Sequence, residues 1–229
     1  MRVSFAAAIT TVTVFLAGCA TPQLPLPLNG GALSNKSGKV GIAMAVLPKP
    51  NTFFPGADCL LCIGIVSAVN SSLTTHAQAL PTDDLAALQQ ELASLVKKKG
   101  AEPVVINEPL DVTTLPNFGT SGPNIARKDF TSLRLKYGVE KLLFVQVSSV
   151  GYVRTYASYF PTSEPKARIS SITSLIDLRS NTYDWFLPVT ALKAADGAWD
   201  EAPKYPGLTN AYFQAIESHR DEVTKAIAD

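Results

Sequence analysis

Residues 82–107 read TDDLAALQQELASLVKKKGAEPVVIN, and this stretch decides the fold class. Leu85, Leu88, Leu92, Leu95 and Val96 recur at helical spacing after Thr82, Asp83 and Asp84, and the run closes on Lys97, Lys98, Lys99 and Gly100. Acidic groups at the start and basic groups at the end complement the helix dipole, and glycine suits the left-handed conformation just past a helix terminus. That dipole role explains the lysines without invoking anionic lipid. Residues 103–107 then form an apolar run of strand length, read as a buried strand. A helix feeding a buried strand is the repeating unit of an α/β sheet.

Working outward, residues 39–47 form an earlier apolar run closed by Pro48 and Pro50, read as the first strand. A loop of Pro, Gly and aromatic residues covers 48–58, and residues 59–80 are apolar and then polar at helical length. Downstream, residues 129–137 read as a short helix ended by Gly138, and 141–150 as a third strand. Residues 168–178 and 183–189 suggest a β-hairpin turning at Ser180 and Asn181. A last helix starts near Thr209 and aligns Tyr212, Ile216, Val223 and Ile227 on one face. Trp185 and Trp199 are expected in or near the core. The expected fold is α/β, a single mixed sheet flanked by helices, with a C-terminal helix.

The amino terminus adds an address. Arg2 precedes an uncharged, mostly apolar run from 3 to 16, the layout of a signal peptide. Leu16, Ala17, Gly18 and Cys19 resemble the lipobox of bacterial lipoproteins, which implies cleavage after residue 18 and lipid on Cys19. In that family an Asp after the cysteine commonly signals retention at the inner membrane; Ala20 here implies the outer membrane, facing the periplasm. Residues 19–38, rich in Pro, Gly, Asn and Ser, read as a lipidated, flexible tether, and 39–229 as the periplasmic α/β domain. Lys plus Arg number 20 against 19 Asp plus Glu, and losing Arg2 with the leader balances them. Such a chain lacks the basic footprint that nucleic acid requires.

The domain pattern resembles one shared by the curli secretion lipoprotein, the lipoprotein activators of penicillin-binding proteins and the amino-terminal domain of TolB. The likeness rests on Val46, Leu47 and Pro48 closing an early strand, and on Lys98, Lys99 and Gly100 leading into the strand at 104–106. It continues through the helix-to-strand flow over 133–144 and the hairpin with Leu178, Asn181 and Trp185. It covers about 150 residues of generic βα signatures. Two departures stand out: the insertion at 48–62, and the lack of segments like the curli channel's barrel-forming hairpins, which argues against a pore.

Three features carry candidate chemistry. Cys59 and Cys62 form Cys-Leu-Leu-Cys at the start of a helical stretch. They are readable as a local disulfide in an oxidising compartment, as buried thiols, or as a redox couple whose thiol pKa the helix end lowers. The apolar run 60–69 reads as core, or as a surface that enters a membrane interface or docks a partner; it lacks the basic face of an interfacial helix. Tyr152, Tyr156, Tyr159 and Phe160 cluster before Pro161, either covering a sheet edge or binding a partner. His76 and His219 read most simply as surface residues. With three cysteines and two histidines, no metal set is complete, since zinc takes about four ligands, and no cofactor is expected.

Motifs for hydrolysis or phosphate binding are absent from the sequence. The expected function is therefore non-enzymatic: an outer-membrane-anchored binding or assembly module for an envelope protein or polymer, compatible with a homo-oligomer. The competing class is a lipid-anchored thiol-disulfide oxidoreductase using Cys59 and Cys62.

Overall fold

The computed structural model describes residues 22–228; the signal peptide, the lipobox with Cys19, and Ala20 lie outside them. In chain order the elements are β1 (Lys39–Met44), β2 (Asn51–Phe53), α1 (Leu60–Val69), α2 (Ser71–Gln78), α3 (Asp83–Lys98) and β3 (Glu102–Val105). There follow α4 (Ser132–Tyr137), β4 (Lys141–Val153), β5 (Tyr156–Ala157), β6 (Phe160–Pro161), β7 (Lys166–Asp177), β8 (Thr182–Ala194) and α5 (Pro206–Ala228).

The main sheet runs β3-β1-β4-β7-β8, with β2 also paired to β4 beyond the end of β1. Pairing is parallel from β3 to β4 and antiparallel from β4 to β8. The protein is thus an α/β fold built on a mixed sheet flanked by helices, with a C-terminal helix, as the sequence pattern implies. β5 and β6 form a separate two-stranded ribbon.

The principal core lies between one face of the sheet and helices α3 and α5. Leu85, Leu88, Leu92 and Val96 of α3 are fully buried, alongside Val40, Ile42, Leu143 and Ile169 from the strands and Tyr212 and Ile216 from α5. Gln89 fixes α3 to the sheet by donating to the carbonyls of Ile42 and Ile106, both at 2.8 Å. On the opposite face a second cluster joins Phe130, Leu133, Val139, Phe144 and Ile176. Its cover is held by buried Asn181 in the β7–β8 turn, at φ 59°. The Asn181 side chain accepts from the Phe130 amide at 2.9 Å and donates to the carbonyls of Ala126 and Lys128 at 3.0 and 2.9 Å.

Two sequence expectations change. The strand expected at 103–107 is β3, an edge strand only half buried because its sole neighbour is β1; Pro103 suits such an edge. The expected flexible tether is docked from Gln23 onward: the Gln23 side chain donates to the Asn124 side-chain oxygen at 2.8 Å and accepts from the Asn124 amide at 3.1 Å. Leu26 exchanges two backbone hydrogen bonds with Phe186 on the β8 edge, at 2.9 and 3.0 Å, and Leu33 is buried. Prolines favour extended chain, and extended chain with apolar side chains can pair with an open sheet edge as readily as it can act as a linker.

Candidate functional site

β4 extends beyond its expected end at residue 150, and Gly151 (φ 126°) lets β2 approach, since a Cβ there would collide with the Asn51 backbone. β2 therefore delivers the chain into a loop that pairs with the β5–β6 ribbon: the Tyr156 amide donates to Pro55 at 2.8 Å and the Ser158 amide to Gly56 at 3.0 Å. From this junction α1 emerges.

α1 reads Leu-Leu-Cys-Ile-Gly-Ile-Val-Ser-Ala-Val, and no charged side chain occurs from residue 59 to residue 82. Only Cys62 and Val66, one turn apart, are buried, in a small cluster with Ala57, Tyr156 and the half-buried Phe54. The remaining apolar side chains face outward: Leu60 is 91% exposed, Leu61 72%, Val69 70%, Ile63 48% and Ile65 40%. The core reading of 60–69 is thereby corrected. A uniformly apolar run carries no periodicity to say which face is covered, and this helix touches the domain along a narrow strip.

A built corner ends α1. Asn70 is buried, donates to the Val66 carbonyl and to the Tyr156 hydroxyl, both at 2.7 Å, and accepts from Arg154 at 3.1 Å. The Arg154 guanidinium also lies over the Trp199 ring, 4.7 Å from its centroid. At this corner the chain turns by 73° into α2. No single helix among the described residues is long and apolar enough to cross a membrane, although α1 and α2 together pass by length and composition.

The aromatic candidates divide. Tyr152 is fully buried and Tyr156 nearly so, so neither ring is available to a partner; burial pushes the Tyr152 hydroxyl up from its ordinary pKa. Tyr159 and Phe160 project from the ribbon, 50% and 63% exposed, with ring centroids 4.5 Å apart. The ribbon and α1 share the Tyr156 cluster, so both exposed apolar elements spring from the same end of the sheet.

At the start of α1 the Cys59 and Cys62 sulfurs are in bonding contact, with Cα atoms 4.9 Å apart. Cys59 is exposed and caps the helix, its sulfur accepting from the Cys62 amide at 2.9 Å.

The histidines differ from their surface reading. His76 is half-buried, hydrogen-bonded to Thr209 at 2.9 Å, and its pKa is lowered by burial. His219 is fully buried on the inner face of α5, 2.6 Å from the Ser171 hydroxyl, and burial pulls its pKa down to about 4. The signal was present: His219 falls between Ile216 and Val223 on the buried stripe of α5. Its Nδ1 has no hydrogen-bond partner among the described residues, so Ser171 and His219 lack the carboxylate and the access of a catalytic triad.

At the far end of the sheet an open groove is lined by Glu140, Lys141, Asp177 and Arg179. Its charges are matched: Glu140 binds Arg134 at 3.0 Å and Arg179 at 2.8 Å, and these partners hold its pKa down to about 2. Lys141 pairs with Asp184 at 2.6 Å. Among the described residues no group of three or more His, Cys, Asp or Glu side chains is placed to hold a metal.

No protein-family model and no curated protein matches the chain. Among solved structures it is similar to a lipoprotein from Neisseria meningitidis, at 11% identity over 72% of this chain and 86% of that one, with a TM-score of 0.33. It is also similar to a Xanthomonas campestris protein (13% identity, 94% and 93% covered, TM-score 0.38) and to the PelC dodecamer from Paraburkholderia phytofirmans (8%, 91% and 94%, 0.36).

Proposed function

We propose that this chain is a lipid-anchored envelope protein, attached through Cys19 to the periplasmic side of the outer membrane. It acts there as a non-enzymatic binding or assembly module whose docking element is α1. The observation that carries this reading is the outward exposure of Leu60, Leu61, Ile63, Ile65 and Val69 on a helix that contributes only two side chains to the protein's own interior. Burying such side chains contributes roughly 1.5–3 kcal/mol each when complete, before the cost of association is subtracted. The lipobox-like Leu16 to Cys19 supplies the address, and Ala20 the choice of membrane. Tyr159 and Phe160 extend the same docking surface.

The test is photo-crosslinking in cells from a reactive residue placed at Leu61, compared with one placed at Leu135, an exposed residue on α4. Adducts concentrated at Leu61 are expected. Equal yields from both positions would remove α1 as the docking element.

A second reading rests on a different observation: exposed Cys59 and buried Cys62 flank the start of a helix, the arrangement in which a thiol can be activated. We favour a structural disulfide that closes the first turn of α1. Catalytic reduction of insulin by the protein, lost in Cys59→Ser, would reverse that preference in favour of an oxidoreductase.

A further inference from the structure

We infer that α1 and the Tyr159–Phe160 tip insert into the interface of a lipid bilayer, giving the protein a second membrane contact besides its acyl anchor. This rests on the lipidation reading of Cys19.

Three observations favour lipid over a protein groove or a second copy. The first is the spread of the exposed side chains around the helix. At 100° per residue, Ile63, Leu60, Leu61, Ile65 and Val69 cover about 240° of the circumference, and Cys62 and Val66 occupy the remaining strip. A protein groove meets an amphipathic helix along one stripe; a surrounding solvent of acyl chains and headgroups meets it on every side that the domain leaves open. Ordinary interfacial helices carry their own polar face. In α1 the polar side is supplied by the domain behind it.

The second is area. One side of a ten-residue helix, about 15 Å long and 10 Å wide, covers far less than the ~800 Å² that each partner contributes to a stable protein interface. A membrane contact has no such minimum, because the acyl anchor already holds the protein at the bilayer and makes insertion intramolecular in effect.

The third is the chemistry of the ribbon tip. Exposed Tyr159 is of a type enriched at the headgroup level, and Phe160 beside it is of a type found on the lipid-facing side of interfacial helices.

The experiment uses the lipidated full-length protein, purified from membranes and reconstituted in vesicles of phosphatidylethanolamine and phosphatidylglycerol with brominated acyl chains. Leu61→Trp and Val69→Trp place a fluorophore on α1, and Leu135→Trp serves as an exposed control on α4; the signal of the unsubstituted protein is subtracted. Quenching at least twofold stronger at both α1 positions than at the control is expected. Quenching no stronger than the control, in protein that floats with the vesicles, overturns the insertion and leaves the anchor intact. Protein that fails to float contradicts the anchor, and the insertion falls with it.

Discussion

α3 and α1 are both helices with four or more large aliphatic side chains, yet they use them in opposite directions. α3 aligns Leu85, Leu88, Leu92 and Val96 on one face and buries all four, leaving charge and amide groups on the other. α1 has no charged residue and leaves its leucines and most of its branched residues in solvent. Periodic apolarity marks a helix whose partner is its own sheet. Uniform apolarity on a helix that the sheet barely touches marks a partner outside the chain.

The largest expected effect belongs to α3. Leu88→Ala opens a cavity in a fully buried cluster and should cost ~2–5 kcal/mol in denaturant unfolding, whereas Leu61→Ala should stay within ~0.5 kcal/mol. Equal losses at the two sites would erase the distinction between the helices.

His219 gives the next effect, again on the buried side. The folded protein holds its pKa near 4, against an ordinary 6.5, because burial opposes the charge. The unfolded chain therefore binds the proton first, so stability is complete above about pH 6.5 and falls as the pH drops through 4, by an amount on the order of 3 kcal/mol. His219→Gln should flatten this part of the pH profile; an unchanged slope between pH 6.5 and 4 would show that the imidazole is not the group responsible.

Asn181→Ala removes three hydrogen bonds from the turn that holds the second cluster in place, and ~1–3 kcal/mol should be lost in thermal or denaturant unfolding. Unchanged stability would mean that the segment over Phe130 is held by apolar contact alone. The smallest effect on folding, and the largest on solubility, is expected from the double variant Leu61→Ser with Val69→Ser: unfolding within ~0.5 kcal/mol of the parent, with less self-association on a sizing column. Greater aggregation in this variant would argue that α1 is covered by the protein itself.

The same contrast explains what was legible in the sequence. α3 announces itself by apolar residues at the helical period, β4 by a continuous apolar run of strand length, and the β7–β8 hairpin by imperfect alternation with Asn181 marking its turn. α1 was legible as a helix and illegible as a surface, since an unbroken apolar run looks alike in a core and in an exposed helix. β2, β5 and β6 are two or three residues long, too short for any period to register. The four-residue aromatic cluster gave no hint that Tyr152 and Tyr156 turn inward while Tyr159 and Phe160 turn outward, because the β4 exit and the Asn70 corner that sort them arise from distant parts of the chain. His219 was readable from its place on the α5 stripe, and the docking of Leu26 on β8 was not, since a Pro-rich segment looks the same paired or free.

Amide hydrogen exchange tests the outward role of α1 most directly, comparing the lipidated protein on membranes with the Cys19→Ser protein in solution. A helix held by two buried side chains should open readily when free. The expected result is exchange at Leu60–Val69 slowed at least tenfold on the membrane, with α3 unchanged. Equal rates for α1 in the two states would contradict the assignment of this helix to a partner outside the fold.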